Sequence, residues 1–182
     1  MVKNFILFSL IIFSFLPGVS AEPSISATKV ILVRHAEKAK GKNPELLPPG
    51  KKRALALAQI SKSFDIAAIY STPLNRTKQT AEPLAKSANL TVNLSIKPMD
   101  YAGQLAHIKK NYLGKTVVIV GHGNTVPEFI NHVIPKSKLP FIDETDFSQL
   151  FIITLPKSRP AKLNRHTYKA LKNGNISVTP TL

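Results

Sequence analysis

Two histidines in this sequence follow apolar runs that are typical of buried β-strands. Val30-Ile31-Leu32-Val33 leads into Arg34-His35, and Val117-Val118-Ile119-Val120 leads into Gly121-His122. The carboxyl ends of parallel strands meet at one edge of an open α/β sheet, and ligands bind in the crevice outside that edge. We therefore expect both imidazoles to share one crevice. There, an imidazole can act as a nucleophile, a base or a hydrogen-bond donor.

Arginines complete a possible anion site around these histidines. Arg34 precedes the first histidine, and Arg76 falls in the first turn of a predicted helix. Guanidinium groups match the oxygens of a phosphoryl group bidentately, and helix N-termini near Arg76 and Asn124 would add positive dipole ends. A histidine among such cations suggests phosphoryl transfer through a phosphohistidine, with the cations stabilising the transition state.

Predicted strands and helices alternate along the chain. The pattern predicts strands ending at His35, Tyr70, Ile96 and His122, a strand at 150–155 and a weak edge strand at 176–179. It predicts helices at 50–62, from Pro73 to about 87, at 101–111 and from about 125. This order predicts an α/β fold with three layers, in which helices cover both faces of a mostly parallel central sheet. The basic segment around His166 gives no signal.

The N-terminus is typical of a signal peptide over residues 1–21. Lys3 precedes an apolar stretch from Phe5 to Leu16, and Val19-Ser20-Ala21 offers small residues for cleavage after Ala21. The alternative is a membrane anchor, but the stretch is shorter than the roughly 20 residues that span a bilayer. We expect an exported protein, periplasmic or secreted, with residues 22–182 as one domain and no membrane span in the mature chain. The sequence has no cysteine, which excludes disulfides and thiol chemistry.

The chain is strongly basic, with a formal net charge of +15 from 25 Lys and Arg against 10 Asp and Glu. Such an excess raises the question of nucleic-acid binding. The lysines are dispersed, however, and aromatic residues make up only 7% of the chain, which gives little support to base stacking. A solvated basic surface that attracts anionic substrates is the preferred interpretation.

Four blocks of sequence resemble the histidine phosphatase superfamily, which has the phosphoglycerate mutase-like fold. They occur in the family's order, at Leu32 to Lys38, Leu46 to Ala54, Ser71 to Ala81 and Gly121 to Thr125. The resemblance implies that His35 is the phosphorylated nucleophile. It also implies that Arg34, Arg76 and His122 complete the phosphate pocket, and that neither a metal nor an organic cofactor takes part.

The chain departs from parts of the family pattern. The second branch usually has Asp directly after the second histidine, whereas this chain has Gly123, which resembles the first branch. Many first-branch members have an acidic proton donor between the second arginine and the second histidine. Only Glu82 and Asp100 lie in that interval. We favour Asp100 as the acid; a helix cap is its structural alternative. Some similar phosphatases have no clear donor.

Other polar residues near the motifs receive weaker assignments. We expect Glu37 to orient Arg34 or a nearby backbone group at the substrate site, rather than to transfer a proton. Asn124 is expected to cap the helix that follows His122 and could also bind substrate. His107 and His132 are interpreted as structural or surface residues.

These features predict a phosphohydrolase that cleaves phosphate monoesters. The alternatives are a phosphomutase of the same fold and a catalytically silent protein that binds phosphate or a polyanion. The partner would be a small-molecule or macromolecular phosphate ester. Specificity is expected to lie in the loops Lys38–Pro49 and Pro98–Gln104.

Overall fold

The computed structural model describes residues 27–94, 97, 99–170 and 176–181. The predicted signal peptide lies outside the described residues. The strands are β1 Thr28–Arg34, β2 Ile66–Ser71, β3 Val92–Asn93, β4 Thr116–Gly121, β5 Gln149–Leu155, β6 Lys162–Ala170 and β7 Ile176–Thr181. The helices are α1 Pro48–Ser61, α2 Asn75–Ala88, α3 Tyr101–Asn111 and α4 Thr125–Val133, and a short 3-10 turn covers Pro135–Ser137.

The strands form one sheet in the order β3-β2-β4-β1-β5-β6-β7. The four strands from β3 to β1 are parallel, whereas β5, β6 and β7 are added antiparallel to them. The predicted α/β architecture with a parallel core is confirmed. The sequence did not predict β6, because its basic segment carries few apolar residues; it is held between β5 and β7 by ladder hydrogen bonds.

Helices cover both faces of the sheet, which gives the predicted three layers. On one face α3 and α4 pack over a core that includes Leu32, Phe129 and Ile130. On the other face α1 and α2 pack over a core that includes Val33 and Leu84. The apolar residues 30–33 of β1 have no exposed surface, because their alternate side chains point into the two cores.

The start of α1 contacts the segment that follows β1. This helix begins at Pro48, two residues before the predicted start, because proline fits the first helical turn. The Leu47 amide donates to the Glu37 carbonyl at 2.9 Å. A Cβ on Gly50 would lie 2.2 Å from the same carbonyl oxygen, so only glycine allows this close approach. The segment after β1 is thereby held against the helix.

No helix among the described residues is both long enough and apolar enough to cross a membrane.

Candidate active site

Strand pairing brings the two histidines together. Arg34 at the end of β1 lies opposite Gly121 at the end of β4, and the His35 amide donates to the Gly121 carbonyl at 3.0 Å. The imidazole centroids are 5.6 Å apart, with an angle of 66° between the ring planes. The structure therefore places both rings in one crevice at the carboxyl edge of the parallel strands, as expected from the strand ends.

The backbone selects the tautomer of His35. Its Nδ1 lies 2.9 Å from the Ala36 carbonyl oxygen, which can only accept a hydrogen bond. Nδ1 therefore carries the proton, and the lone pair resides on Nε2, which has no hydrogen-bond partner among the described residues. The Thr80 hydroxyl fixes this segment, because it accepts from the Ala36 amide at 2.9 Å and donates to the Arg76 carbonyl at 2.7 Å.

Burial keeps the His35 ring neutral. Desolvation is the largest cause that lowers the pKa of His35 to about 3, and the positive charges of Arg34 and Arg76 lower it further. The backbone hydrogen bond to Ala36 acts in the opposite direction but is the weaker influence. At neutral pH, Nε2 is thus an unprotonated nitrogen among cations, which is the form a nucleophile requires.

Both predicted arginines have unused donors. Arg34 is 8% exposed, and its Nη1 donates to the carbonyls of Asp143 at 2.5 Å and Asp146 at 3.3 Å. The Nε atoms of Arg34 and Arg76 are buried and have no hydrogen-bond partner among the residues that the structure describes. Burial lowers the pKa of both guanidinium groups. A buried donor without a partner is costly, so these atoms are suited to an anionic ligand.

A chain of hydroxyl groups selects the tautomer of His122. The Thr77 hydroxyl lies 3.0 Å from the Thr72 carbonyl and 2.9 Å from the Leu74 carbonyl, so its proton goes to a carbonyl. Thr77 Oγ1 then accepts from Thr72 Oγ1 at 2.7 Å, and Thr72 Oγ1 accepts from His122 Nε2 at 3.1 Å. His122 Nε2 therefore carries a proton. Its Nδ1 has no partner in the part of the chain that the structure describes.

The second histidine is also kept neutral when the site holds no anion. Burial, followed by the charges of Arg76 and Arg34, lowers the pKa of His122 to about 4. An anion bound between the arginines would oppose their effect and favour the imidazolium form. The His122 amide donates to Thr125 Oγ1 at 3.0 Å, which fixes the ring at the start of α4.

A loop that the sequence analysis missed closes the Arg34 side of the site. This loop, 142–148, connects to the segment after His122 through the Ile142 amide, which donates to the Gly123 carbonyl at 2.8 Å. A Cβ on Gly123 would lie 2.9 Å from the Ile142 oxygen, so the close approach requires glycine. The Phe147 ring lies 4.6 Å from the Arg34 guanidinium carbon and 6.0 Å from the His35 ring.

Glu37 has a different partner from the one expected. Its carboxylate accepts from Arg53 Nε at 3.0 Å and from Arg53 Nη2 at 2.7 Å. Arg53 Nη1 also donates to the Tyr168 carbonyl at 2.7 Å. The contacts of Glu37 therefore orient Arg53 of α1 rather than Arg34, because α1 places this second guanidinium within reach of the carboxylate.

The candidate acids occupy different environments. Asp100 is the N-cap of α3, where its Oδ1 accepts from the Gly103 amide at 2.9 Å. This is the cap that the sequence offered as the alternative; the role of Asp100 as proton donor stays a prediction. Glu82 is exposed on α2. The missed loop brings Asp143, Glu144 and Asp146 close enough to Arg34 to raise its pKa against the effect of burial.

These three loop acids differ in their contacts. Thr145 donates to the Asp143 carboxylate, and Ser148 and Gln149 donate to the Asp146 carboxylate. The Glu144 carboxylate is exposed and has no hydrogen bond or ion pair among the described residues. A local sequence signal could not have found this acid, since only the fold brings the loop to Arg34.

The remaining predicted residues lie around the site. Asn124 precedes α4 and is exposed, but its side chain forms no cap hydrogen bond. The His107 ring bonds to the Tyr70 hydroxyl at 2.8 Å, which is a structural contact. His132 is exposed near the end of α4. The described residues contain no group of three or more His, Cys, Asp or Glu side chains that could hold a metal ion.

The fold and the site together define a class. A doubly covered parallel core holds, at its carboxyl edge, an unprotonated imidazole nitrogen, a second imidazole and two guanidinium groups with unused donors. This is an α/β protein with a histidine-centred site whose unused donors are suited to an oxyanion.

A family model matches part of the chain. The model described as the histidine phosphatase superfamily (branch 1) matches residues 30–98, which include His35 and Arg76. Over this part of the chain, which is less than half of it, the sequence is similar to that superfamily, in agreement with the motifs. The matched region ends before His122, so strand pairing rather than the family match brings that residue into the site.

One curated relative matches part of the chain. Phosphoserine phosphatase 1 of Hydrogenobacter thermophilus is 42% identical over 72 residues, which is 35% of this chain and 34% of the relative. The match thus spans about a third of the relative's length.

Solved structures share the fold over most of the chain. A phosphoserine phosphatase from Entamoeba histolytica superposes with a TM-score of 0.57 at 20% identity, covering 75% of this chain and 94% of that one. A mycobacterial glucosyl-3-phosphoglycerate phosphatase gives a TM-score of 0.59 at 15% identity, covering 75% and 97%. The structural neighbours are thus phosphatases with the phosphoglycerate mutase-like fold.

Proposed function

We propose that this protein is a phosphohydrolase that cleaves phosphate monoesters through a phosphohistidine on His35. The observation that carries the proposal is the state of His35 Nε2. This nitrogen is unprotonated, has no partner among the described residues, and shares its crevice with two guanidinium groups that have unused donors. An anionic phosphoryl group would satisfy those donors and present its phosphorus to the nitrogen.

The first step forms the phosphoenzyme. Nε2 of His35 attacks phosphorus in line with the ester oxygen; the P–N bond forms as the P–O bond breaks. Arg34 and Arg76 neutralise the charge on the remaining phosphoryl oxygens in the transition state. The leaving alcohol takes a proton from an acid as it departs. His122 contributes a second donor when the bound dianion favours its protonated form.

The second step releases inorganic phosphate. A water molecule attacks phosphorus from the side that the alcohol has left, and the P–N bond breaks. The acid that lost its proton in the first step takes one from the attacking water, which restores the resting state of the site. The electron pair of the P–N bond returns to His35 Nε2.

Asp100 is our proposed acid, and Glu144 provides a direct comparison. An acid is needed most when the leaving group is a weak acid, such as a primary alcohol, and least when it is a nitrophenol. We therefore expect Asp100→Asn to slow alkyl phosphate hydrolysis by at least about tenfold more than nitrophenyl phosphate hydrolysis. If Glu144→Gln shows that selectivity instead, the donor lies on the loop; equal loss on both esters excludes the tested residue.

The central test is a comparison of wild type with His35→Ala, with His132→Ala as the control for loss of an exposed imidazole. Hydrolysis of a generic aryl phosphate is expected to vanish in the first variant and to persist in the second. Rapid acid-free quenching followed by peptide mass spectrometry should locate an acid-labile phosphoryl group on the peptide that contains His35. Equal rates in the two variants, or a phosphoryl group on another residue, would overturn the proposal.

Export is a separate proposal. Cleavage after Ala21 would release residues 22–182 to the periplasm or the medium. N-terminal sequencing of the protein recovered from a bacterial host should begin at Glu22. Recovery of the intact N-terminus in the membrane fraction would favour the anchor instead.

A further inference from the structure

An apolar cleft begins beside the phosphate site. It lies between α3 and α4 and is narrow and partly open to solvent. Leu32 of β1 and Ile119 of β4 form its base, and Val126 and Phe129 of α4 form one wall. The sequence predicted specificity around Pro98–Gln104, and Met99, Tyr101 and Gln104 form the opposite wall.

The cleft is continuous with the catalytic residues. Thr72 and Gly121 line it, and each also contacts a histidine of the site. Thr72 Oγ1 accepts from His122 Nε2 at 3.1 Å, and the Gly121 carbonyl accepts from the His35 amide at 3.0 Å. A group attached to a phosphoryl at His35 therefore has the cleft as an adjacent space.

The polar side chains of the cleft are already engaged. The Tyr101 hydroxyl donates to the Glu128 carboxylate, and the Gln104 amide nitrogen donates to the Lys97 carbonyl at 2.6 Å. The Tyr101 ring meets Phe129 edge-on, with centroids 6.3 Å apart. A sugar or a serine in the cleft would leave its hydroxyl or amino group without water and with few protein partners, which is costly.

Met99 forms the outer lip of the cleft. It is 66% exposed and adopts a left-handed backbone conformation with φ of 65°. A thioether on a flexible side chain adapts to apolar ligands of different shapes. The lining of the cleft is thus mostly apolar, with the polar anchor of the phosphate site at one end.

We infer that this cleft receives the leaving group, and that the preferred substrates are phosphate monoesters of apolar alcohols, aromatic or branched alkyl. The inference rests on the proposed function, because it assigns the substrate class to the same site. Phosphorylated sugars and phosphoserine are the disfavoured class.

A matched pair of esters tests the preference. Benzyl phosphate and glucose 6-phosphate are both esters of primary alcohols, so their leaving groups differ mainly in polarity. We expect kcat/KM for the benzyl ester to be at least about tenfold higher, because the ring is removed from water. Equal values, or a preference for the sugar ester, would overturn the inference while leaving the phosphatase proposal in place.

Two variants locate the preference in the cleft. Met99→Asp puts a charge at the lip, and its exposed position should leave folding intact. Leu113→Asp makes the same change at an apolar residue that is 51% exposed, beyond the far end of α3. The benzyl-to-glucose ratio should fall about tenfold in the first variant and stay constant in the second. An unchanged ratio in Met99→Asp would overturn the inference.

A binding measurement separates the inference from catalysis. Benzylphosphonate and methylphosphonate carry the same non-hydrolysable anionic group, and only the former has a ring. Calorimetry should show at least about tenfold tighter binding of benzylphosphonate to wild type, and loss of this advantage in Met99→Asp. If no ester is hydrolysed but this difference is found, the proposed hydrolysis fails and the cleft assignment stands. If both phosphonates bind equally, the assignment fails.

Discussion

Two guanidinium sites lie close together in this protein and differ in how their donors are used. Arg53 of α1 donates to both oxygens of Glu37 and to the Tyr168 carbonyl, and it also lies 5.5 Å from the Tyr168 ring centroid. Arg34 and Arg76 at the end of the sheet each have a buried Nε that lacks a hydrogen-bond partner in the described part of the chain. The donors of Arg53 are thus paired within the protein, whereas Arg34 and Arg76 each keep an unpaired donor.

The pairing of the donors distinguishes a structural arginine from one that is suited to bind a ligand. A guanidinium group whose donors are paired stabilises the packing of the elements that pair with it. A buried guanidinium group with unmet donors costs stability, and a fold tolerates that cost where a ligand supplies the missing acceptors. Arginines can therefore be assigned to a structural or a ligand-binding role according to whether their donors are paired.

Removal of Arg76 should produce the largest effect in this comparison. We expect Arg76→Ala to lower kcat/KM for an aryl phosphate by about 10²–10³, since transition-state charge loses a donor. The free energy of unfolding should stay constant or rise, because the side chain has no hydrogen bond or ion pair to lose among the described residues. Steady-state kinetics and urea denaturation measure the two quantities, with the exposed Arg159→Ala as control. A large loss of stability would contradict the comparison.

The pH profile should show that His35 stays unprotonated, first because of its burial and then because of the neighbouring cations. With a pKa of about 3, almost all of the ring is neutral at pH 5, whereas a ring at the ordinary value of 6.5 would be only about 3% neutral. Thus kcat/KM, corrected for the ionisation of the substrate, should be nearly the same at pH 5 and pH 7. Because the pKa of His35 is lower in the folded state than in the unfolded chain, the free energy of unfolding should decline as the pH falls from about 6.5 to about 3. An acid limb near pH 6.5 would contradict the assignment.

Loss of Glu37 should lower stability more than activity, whereas loss of Arg76 should lower activity more than stability. Glu37→Gln leaves the Arg53 charge, whose side chain is 15% exposed, without its carboxylate. We expect the free energy of unfolding to fall by about 1–3 kcal/mol, with a smaller effect on kcat. Thermal or urea denaturation checks this, and Glu82→Gln on the exposed face of α2 is the control. Full stability together with lost activity would make Glu37 a substrate residue, as the sequence suggested.

The hydroxyl chain to His122 provides a finer test. Thr72→Val removes the acceptor of His122 Nε2 at nearly constant volume and should lower kcat/KM about tenfold, whereas Thr72→Ser should restore most of it. Nitrogen-15 NMR of the ring should detect the Nε2–H tautomer in wild type and a mixed population in the valine variant. An unchanged tautomer would show that Thr72 does not position the ring.

The smallest effect is expected at Tyr168. Its hydroxyl is buried and has no hydrogen-bond partner within the described ranges, and burial raises the pKa of this phenol. Tyr168→Phe removes this group and should raise the free energy of unfolding by about 1 kcal/mol, with no effect on kcat. Chemical denaturation measures the change. A loss of stability would show that the hydroxyl has an acceptor, which would remove Tyr168 as an example of an unmet donor.

The residues predicted from sequence are those whose signal is local. The apolar runs before His35 and His122 specify buried strands by themselves, and the order of elements then brings the strand ends together. Arg76 was found because its motif lies within one helix start. Asp100 was recognised as a possible helix cap because capping depends on neighbours within three residues.

The features that sequence missed depend on distant parts of the chain. Arg34 donates to Asp143, which lies 109 positions further along, and no periodicity indicates such a contact. The pairing of Glu37 with Arg53 also requires α1 to fold back on the segment after β1. Strand β6 lacks a strong apolar pattern and gains its conformation from neighbours on both sides. Tertiary context decides all three features.

The hydrogen bond from the His35 amide to the Gly121 carbonyl makes the spacing of the two imidazoles a property of the backbone. Side chains in a strand alternate between its faces, so a slip of one position between β1 and β4 would turn Arg34 and its neighbours to the opposite side. We therefore expect assembly of the phosphate site to be all-or-none, so that a chain with misaligned strands is inactive. Enzyme activity in a refolding experiment would therefore report correct alignment of these two strands.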